Sequence, residues 1–225
     1  MNILAFGAHP GDVESLCGGT LLKYRQQGHN IFIAVTTSGN VSCQEATSRE
    51  EAANIREKEQ MEAAKVYDAQ VRFLRFNEGG VQDTPESRRA FLTAIRWADP
   101  DVILCCAPWD NHIDRGLTGR LITQVILSVG GKQHPADLPP ISKTPQIFFF
   151  DIPAGLGFQP EVYVNITETM EKKIESVSAF KSQTDLAEHA EVLSTYRGHQ
   201  TACKYAEAYV SHKMYAFMSD PRMLP

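Results

Sequence analysis

Short apolar runs at Met1 to Gly7, Ile31 to Thr37 and Val102 to Ala107 are separated by stretches of helical spacing, and this alternation restricts the fold more than any other feature. A strand that passes through a helix into a second strand sets the two side by side, and repetition builds a mainly parallel sheet with helices on both faces. Met1–Gly7, a helix over Gly18 to Gln27 and Ile31–Thr37 make the first such unit. Ser48-Arg49-Glu50-Glu51 has the Ser-x-x-Glu spacing of a capping box and opens a helix running to about Tyr67. Val71 to Phe76 reads as a strand. Thr84 before Pro85 marks the start of a helix over Pro85 to Trp97 that closes before Pro100.

Val102 to Ala107 is continuously apolar, as in a strand buried on both faces. Leu117 to Ser128 has helical spacing, Gln146 to Phe150 is another buried strand, and Val162 to Val164 is a short edge piece. Helices over Thr167 to Phe180 and Ala202 to Phe217 complete the expected order. Gly130 to Pro145, with four prolines and two glycines, is a long loop. With no repeat, low-complexity tract or linker, the expectation is one α/β domain over residues 1–225, with a Rossmann-like, mainly parallel sheet.

A chain of 225 residues buries about 70% of its unfolded surface, enough for a core without disulfides or a structural metal. With 22 basic against 27 acidic side chains and no basic cluster, a nucleic-acid surface is excluded. No apolar run approaches the ~18 residues of a membrane span, and Met1-Asn2-Ile3-Leu4 lacks the positive start of a secretory signal, so the expected location is the cytoplasm. The five cysteines are odd in number and contain no C-x-x-C pair, which reads as reduced thiols rather than a zinc ribbon or a disulfide framework.

Ligands of parallel α/β sheets bind beyond the carboxyl ends of the strands. Two polar clusters fall there: Gly7-Ala8-His9-Pro10-Gly11-Asp12-Val13-Glu14, and Pro108-Trp109-Asp110-Asn111-His112-Ile113-Asp114-Arg115. His9 and Asp12, three apart on a tight turn, can turn an imidazole nitrogen and a carboxylate oxygen toward one divalent ion; Asp12 can equally accept backbone N–H groups at the start of the next helix.

The segment from Gly7 through Gly18-Gly19-Thr20-Leu21 resembles the signature of the PIG-L/LmbE-like zinc-dependent de-N-acetylases, usually Ala-His-Pro-Asp-Asp-x-Glu followed by Gly-Gly-Thr-Leu. Ile55-Arg56-Glu57-Lys58-Glu59, Pro100-Asp101-Val102 and Tyr205-Ala206-Glu207-Ala208 are similar to further segments of that family. The resemblance implies a zinc ion that activates a water against the acetamide of an N-acetylated amino sugar or its conjugate, and a homo-oligomer. His9 and Asp12 then match two zinc ligands, and His112 the histidine that stabilises the oxyanion or protonates the amine, with Asp114 as its orienting carboxylate. Arg56 matches a substrate contact, although an ion pair with Glu59 at i,i+3 is an equal reading.

Two positions depart from the pattern. Gly11 stands where the family carries its general base, and Arg115 where it carries the third zinc ligand; a guanidinium has donors only and cannot coordinate zinc. A softer departure is Phe180, where the family often carries His. Three readings stay open: a hydrolase in which Glu14, Asp110 or Asp114 replaces the base and His112 shifts to the ion; a sugar-binding relative whose Arg115 fills the metal position and pairs with Asp12; or a phosphate or nucleotide site at the helix start, held by the Gly7 to Gly11 turn and Arg115. Trp109 stacks on a sugar ring or covers the core edge. His199 is the one replacement ligand the rest of the chain offers.

Overall fold

A computed structural model describes residues 1–214 and 223–225. Its strands are β1 (Asn2–Gly7), β2 (Asn30–Thr37), β3 (Gln70–Phe76), β4 (Val102–Cys105), β5 (Gln146–Phe150), β6 (Val162–Asn165) and β7 (Ala206–Ser211). The helices are α1 (Asp12–Gln26), α2 (Arg49–Ala64), α3 (Pro85–Ala98), α4 (Ile113–Val125), α5 (Met170–Val177) and α6 (Leu186–His199). One sheet runs in the order β3-β2-β1-β4-β5-β7-β6. The first five are parallel, and β7 is antiparallel to both of its neighbours.

The chain winds outward from β1 to β2 and β3, then crosses to β4 and β5 on the other side. The direction of winding therefore reverses between β1 and β4, which is where a doubly wound sheet opens a crevice for ligands. Alternate residues of β1 serve opposite faces: Ile3 and Ala5 join α1 and α5 in one buried cluster, Leu4 and Phe6 join α3 and α4 in the other. Burial on both faces explains why the central strands are unbroken apolar runs.

The cap residues of α2 and α3 stand where their sequences indicate, although the Glu51 carboxylate accepts from the Thr47 amide at 2.7 Å instead of closing the expected box on Ser48. Ser48 accepts from the Glu51 amide at 3.1 Å, and Thr84 and Ser87 exchange bonds in a capping box ahead of Pro85. Three assignments need correction. Helix α1 starts at Asp12 rather than Gly18, and its interior Gly19 is required by close packing, since a Cβ there would meet Ile166 at 2.7 Å. The segment expected as a helix over 202–217 contains β7 instead, with 215–217 outside the described residues. Here Ala-Glu-Ala-Tyr-Val-Ser alternates across the sheet, and Glu207 accepts from Lys173 at 2.7 Å and from the Gly19 and Thr20 amides at 2.8 Å each. Those contacts fix α1 and α5 against β7.

The third is α6, which occupies a stretch for which no element is expected from sequence. Arg197 forks onto Asp151 just past β5, with Nε to Oδ2 at 2.6 Å and Nη2 to Oδ1 at 3.0 Å, and this brings α6 over the carboxyl end of the sheet. The Gly130–Pro145 loop lies elsewhere. Arg96 donates to the carbonyls of Ser128, Val129, Gly131 and Leu138, and the loop enters β5 at Gln146, level with the first residue of β4.

Candidate functional site

The loops after β1 and β4 bring His9, Asp12, His112, Asp114 and Arg115 into one polar cluster at the reversal point. Gly11 caps α1 in the left-handed conformation, at φ +95°, and this turn folds Asp12 back on its own loop. One oxygen of Asp12 accepts from the amides of Ala8 at 3.1 Å and His9 at 2.9 Å. The other accepts from Arg115 Nε at 3.0 Å and Nη2 at 2.7 Å. Asp12 is 5% exposed and Arg115 21%, so the pair is largely shielded from water.

Burial alone would raise the Asp12 carboxyl, but Arg115 and His9 outweigh it and hold the group far below the usual carboxylate range. Burial likewise disfavours the charge on Arg115, and Asp12 more than compensates. His9 lies between two carboxylates, with Nδ1 3.3 Å from Asp12 and Nε2 3.1 Å from Asp114. Against the effect of burial, these partners push the imidazole up to about 9, and the doubly protonated ring satisfies both.

Asp114 also accepts from the Gly79 amide at 2.7 Å, which ties the loop after β3 to the site. His112 caps α4: its Nδ1 accepts from the Asp114 amide at 3.2 Å, its ring packs edge-on to His9 at 4.6 Å, and burial lowers its pKa. Behind the cluster, Gln60 accepts from the Gly11 amide at 3.2 Å and donates to Glu14 at 2.6 Å. Burial pushes the Glu14 carboxyl up to about 7, and its second oxygen has no partner among the described residues.

The zinc arrangement implied by the sequence resemblance does not fit this donor set. Both oxygens of Asp12 are engaged, Arg115 has no lone pair to offer, and Gly11 has no carboxylate to take a proton. A Cβ at Gly11 would meet Leu186 Cδ2 at 2.8 Å, and Phe180 packs beside it, so apolar groups occupy the place of a base. His9, His112 and Asp114 do present ligand atoms within 4.8 Å of one another, a spacing that admits an ion. His9 Nε2 and Asp114 Oδ2, however, are hydrogen-bonded to each other at 3.1 Å. In the Gly7 to Gly11 turn that a phosphate would use, the Ala8 and His9 amides are engaged by Asp12 and the Gly11 amide by Gln60.

Arg56 is 3% exposed; it donates to Pro10 O at 2.7 Å and Ser182 Oγ at 3.2 Å, with Glu59 at 3.9 Å, and braces the His9 loop against the segment after α5. Trp109 is 44% exposed and lies edge-on to Phe149 at 5.3 Å and near-parallel to Phe158 at 6.3 Å. His199 is exposed at the far end of α6, next to the Gln200 cap and away from the cluster. The sequence reading missed the wall that α6 contributes. Leu186, Ala190 and Leu193 line a cavity of about 380 Å³ together with Ser15, Leu16 and Arg115. Asp185 ahead of a Leu186, Ala190, Leu193 spacing was the available signal.

A sheet reversing at β1/β4, with a His-and-carboxylate cluster over the reversal, defines the α/β class to which the sequence resemblance pointed. The family model described as PIG-L, GlcNAc-PI de-N-acetylase, matches residues 4–126, over half of the chain, and the chain belongs to this family. A diacetylchitobiose deacetylase of Thermococcus kodakarensis is 25% identical over 222 residues, covering 91% of this chain and 80% of that protein. Among solved structures, N,N'-diacetylchitobiose deacetylase from Pyrococcus horikoshii matches with a TM-score of 0.83 at 21% identity, over 93% of this chain and 83% of that one. The 4-carboxy-2-hydroxymuconate hydratase of Pseudomonas putida KT2440 matches with 0.84 at 19%, over 94% and 96%. The same fold thus carries deacetylases and a hydratase, and the chemistry of this chain has to be read from its own site.

Proposed function

We propose that this chain is a binding member of the PIG-L family, which holds an N-acetylated amino sugar or a conjugate of one at the β1/β4 crevice and does not hydrolyse it by the zinc route. The observation that carries the reading is the buried pair of Arg115 with Asp12. A fixed guanidinium stands at the metal position, so the ligand carbonyl meets a hydrogen-bond donor instead of a Lewis acid that would also activate water. Loss of a general base alone typically costs on the order of 10²–10⁴ in rate, and Gly11 removes it here. Trp109 offers its open face to a sugar ring beside the crevice. No helix among the described residues is long and apolar enough to cross a membrane.

A second reading is favoured by the spacing of His9, His112 and Asp114: a hydrolase whose ion has moved onto that trio. Calorimetry with N-acetylglucosamine and diacetylchitobiose, run beside an acetate-release assay with and without chelator, separates the two. The binding reading predicts heat of binding and no acetate; acetate release that chelator abolishes and zinc restores would establish the hydrolase instead. The same reading has a homo-oligomer in the cytoplasm, in keeping with exposed Ile113 and Leu127 and with five free cysteines, and light scattering tests the assembly.

A further inference from the structure

We infer that the cavity beside Arg115 receives an N-acyl group longer than acetyl, with the amide carbonyl oxygen on the outer end of the Arg115 guanidinium and the chain running along α6. The inference rests on the sugar-binding reading and adds the chemistry of the acyl side. Three observations carry it.

The first is size and lining. The cavity holds about 380 Å³, within the ~300–1,000 Å³ range of small-molecule sites, and its walls are mainly apolar: Leu16, Leu186, Ala190, Leu193 and the ring of Tyr196. A methyl group is of the order of a water molecule, ~30 Å³, so an acetyl group would leave most of this space without contacts. Exposed Val192 continues the apolar surface along the same helix.

The second is the division of the guanidinium. Nε and Nη2 are engaged by Asp12, while Nη1 has no hydrogen bond among the described residues, and Arg115 lines the cavity. A planar fork with one edge fixed by a carboxylate is held rigid, and the donors at its other end are set in direction. One carbonyl oxygen at the cavity wall completes them.

The third is charge. Asp12 neutralises Arg115, Asp114 neutralises His9, and buried Asp110 adds a further carboxylate that acts on Arg115. Both cations of the cluster are thus paired, and His189 on the α6 wall is the one other basic side chain lining the cavity, so the acceptor that fits Arg115 is neutral, as an amide carbonyl is.

The test is calorimetry on the full chain with glucosamine bearing N-acetyl, N-butyryl, N-hexanoyl and N-octanoyl groups, with the matching N-acylethanolamines as a sugar-free series. Affinity should rise by up to about fourfold per methylene until the cavity is full. Leu193→Trp, or Ala190→Val should the larger change unfold the chain, should flatten that rise. Equal binding of all chain lengths by the natural sequence would overturn the inference and leave the sugar reading standing. A chain-length rise in the ethanolamine series without any glucosamine binding would sustain the inference and remove the sugar reading. Absence of binding in both series would overturn both.

Discussion

Replacing Arg115 with Met removes two hydrogen bonds and the charge partner of a carboxylate that is 5% exposed. Breaking a buried pair from one side leaves the other charge uncompensated, at a cost of about 3–5 kcal/mol. Asp12 would keep the Ala8 and His9 amides, and Arg115 is partly open to water, which places the loss near the lower end, about 3 kcal/mol. For a chain of this size that corresponds to a fall in Tm of about 6–12 °C. Asp12→Asn should be destabilising as well, and the double change should cost much less than the sum, with a coupling energy of about 2–3 kcal/mol. Urea unfolding of the four proteins, with chelator present throughout, gives the cycle. Single changes that add to within about 0.5 kcal/mol would refute the pairing as the organising contact of the site.

His9 sets a pH dependence. Its pKa is raised from 6.5 to about 9, so the folded chain holds the proton more tightly, and the stabilisation is complete below about pH 6.5 and lost as pH rises through 9. Stability should fall across that window by on the order of 3 kcal/mol, and His9→Gln should flatten the profile; the same slope in the variant would contradict the assignment. Gly11→Ala should cost about 1–3 kcal/mol, from φ +95° and the 2.8 Å approach to Leu186, and Leu186→Ala should recover only the steric part. An unchanged urea midpoint for Gly11→Ala would count against that account.

The sheet was legible where caps and apolar runs coincide: Ser48 and Thr84 mark the starts of α2 and α3, and the double burial of β1, β4 and β5 is written in their unbroken apolar sequence. Strand β7 was not, and α6 was marked only by the Leu186, Ala190, Leu193 spacing, for related reasons. The segment of α6 intersperses Glu188, His189 and Glu191 among its apolar residues because one side faces solvent, and its attachment depends on Arg197 reaching Asp151, forty-six positions earlier in the chain. In β7, Glu207 interrupts the apolar run because it holds Lys173. Such long-range ion pairs leave no local pattern.

For the site, the rule that ligands lie beyond the carboxyl ends of parallel strands brings together His9, Asp12, His112, Asp114 and Arg115, and the hydrogen bonds from Arg115 to Asp12 are those that one of the open readings required. The apolar wall at Leu186, Ala190 and Leu193 stayed hidden with α6. Arg56, 3% exposed, has its guanidinium on Pro10 O and Ser182 Oγ, contacts that its spacing to Glu59 does not announce.

Zinc content after purification in excess zinc, measured by elemental analysis for the natural chain and for Arg115→His, bears most directly on the claim that a guanidinium has taken the metal position. The account predicts far less than one zinc per chain in the natural protein and a gain of zinc in the variant, where Asp12 regains a free oxygen beside an imidazole. One zinc per natural chain, bound at the His9 and Asp12 loop, would contradict it.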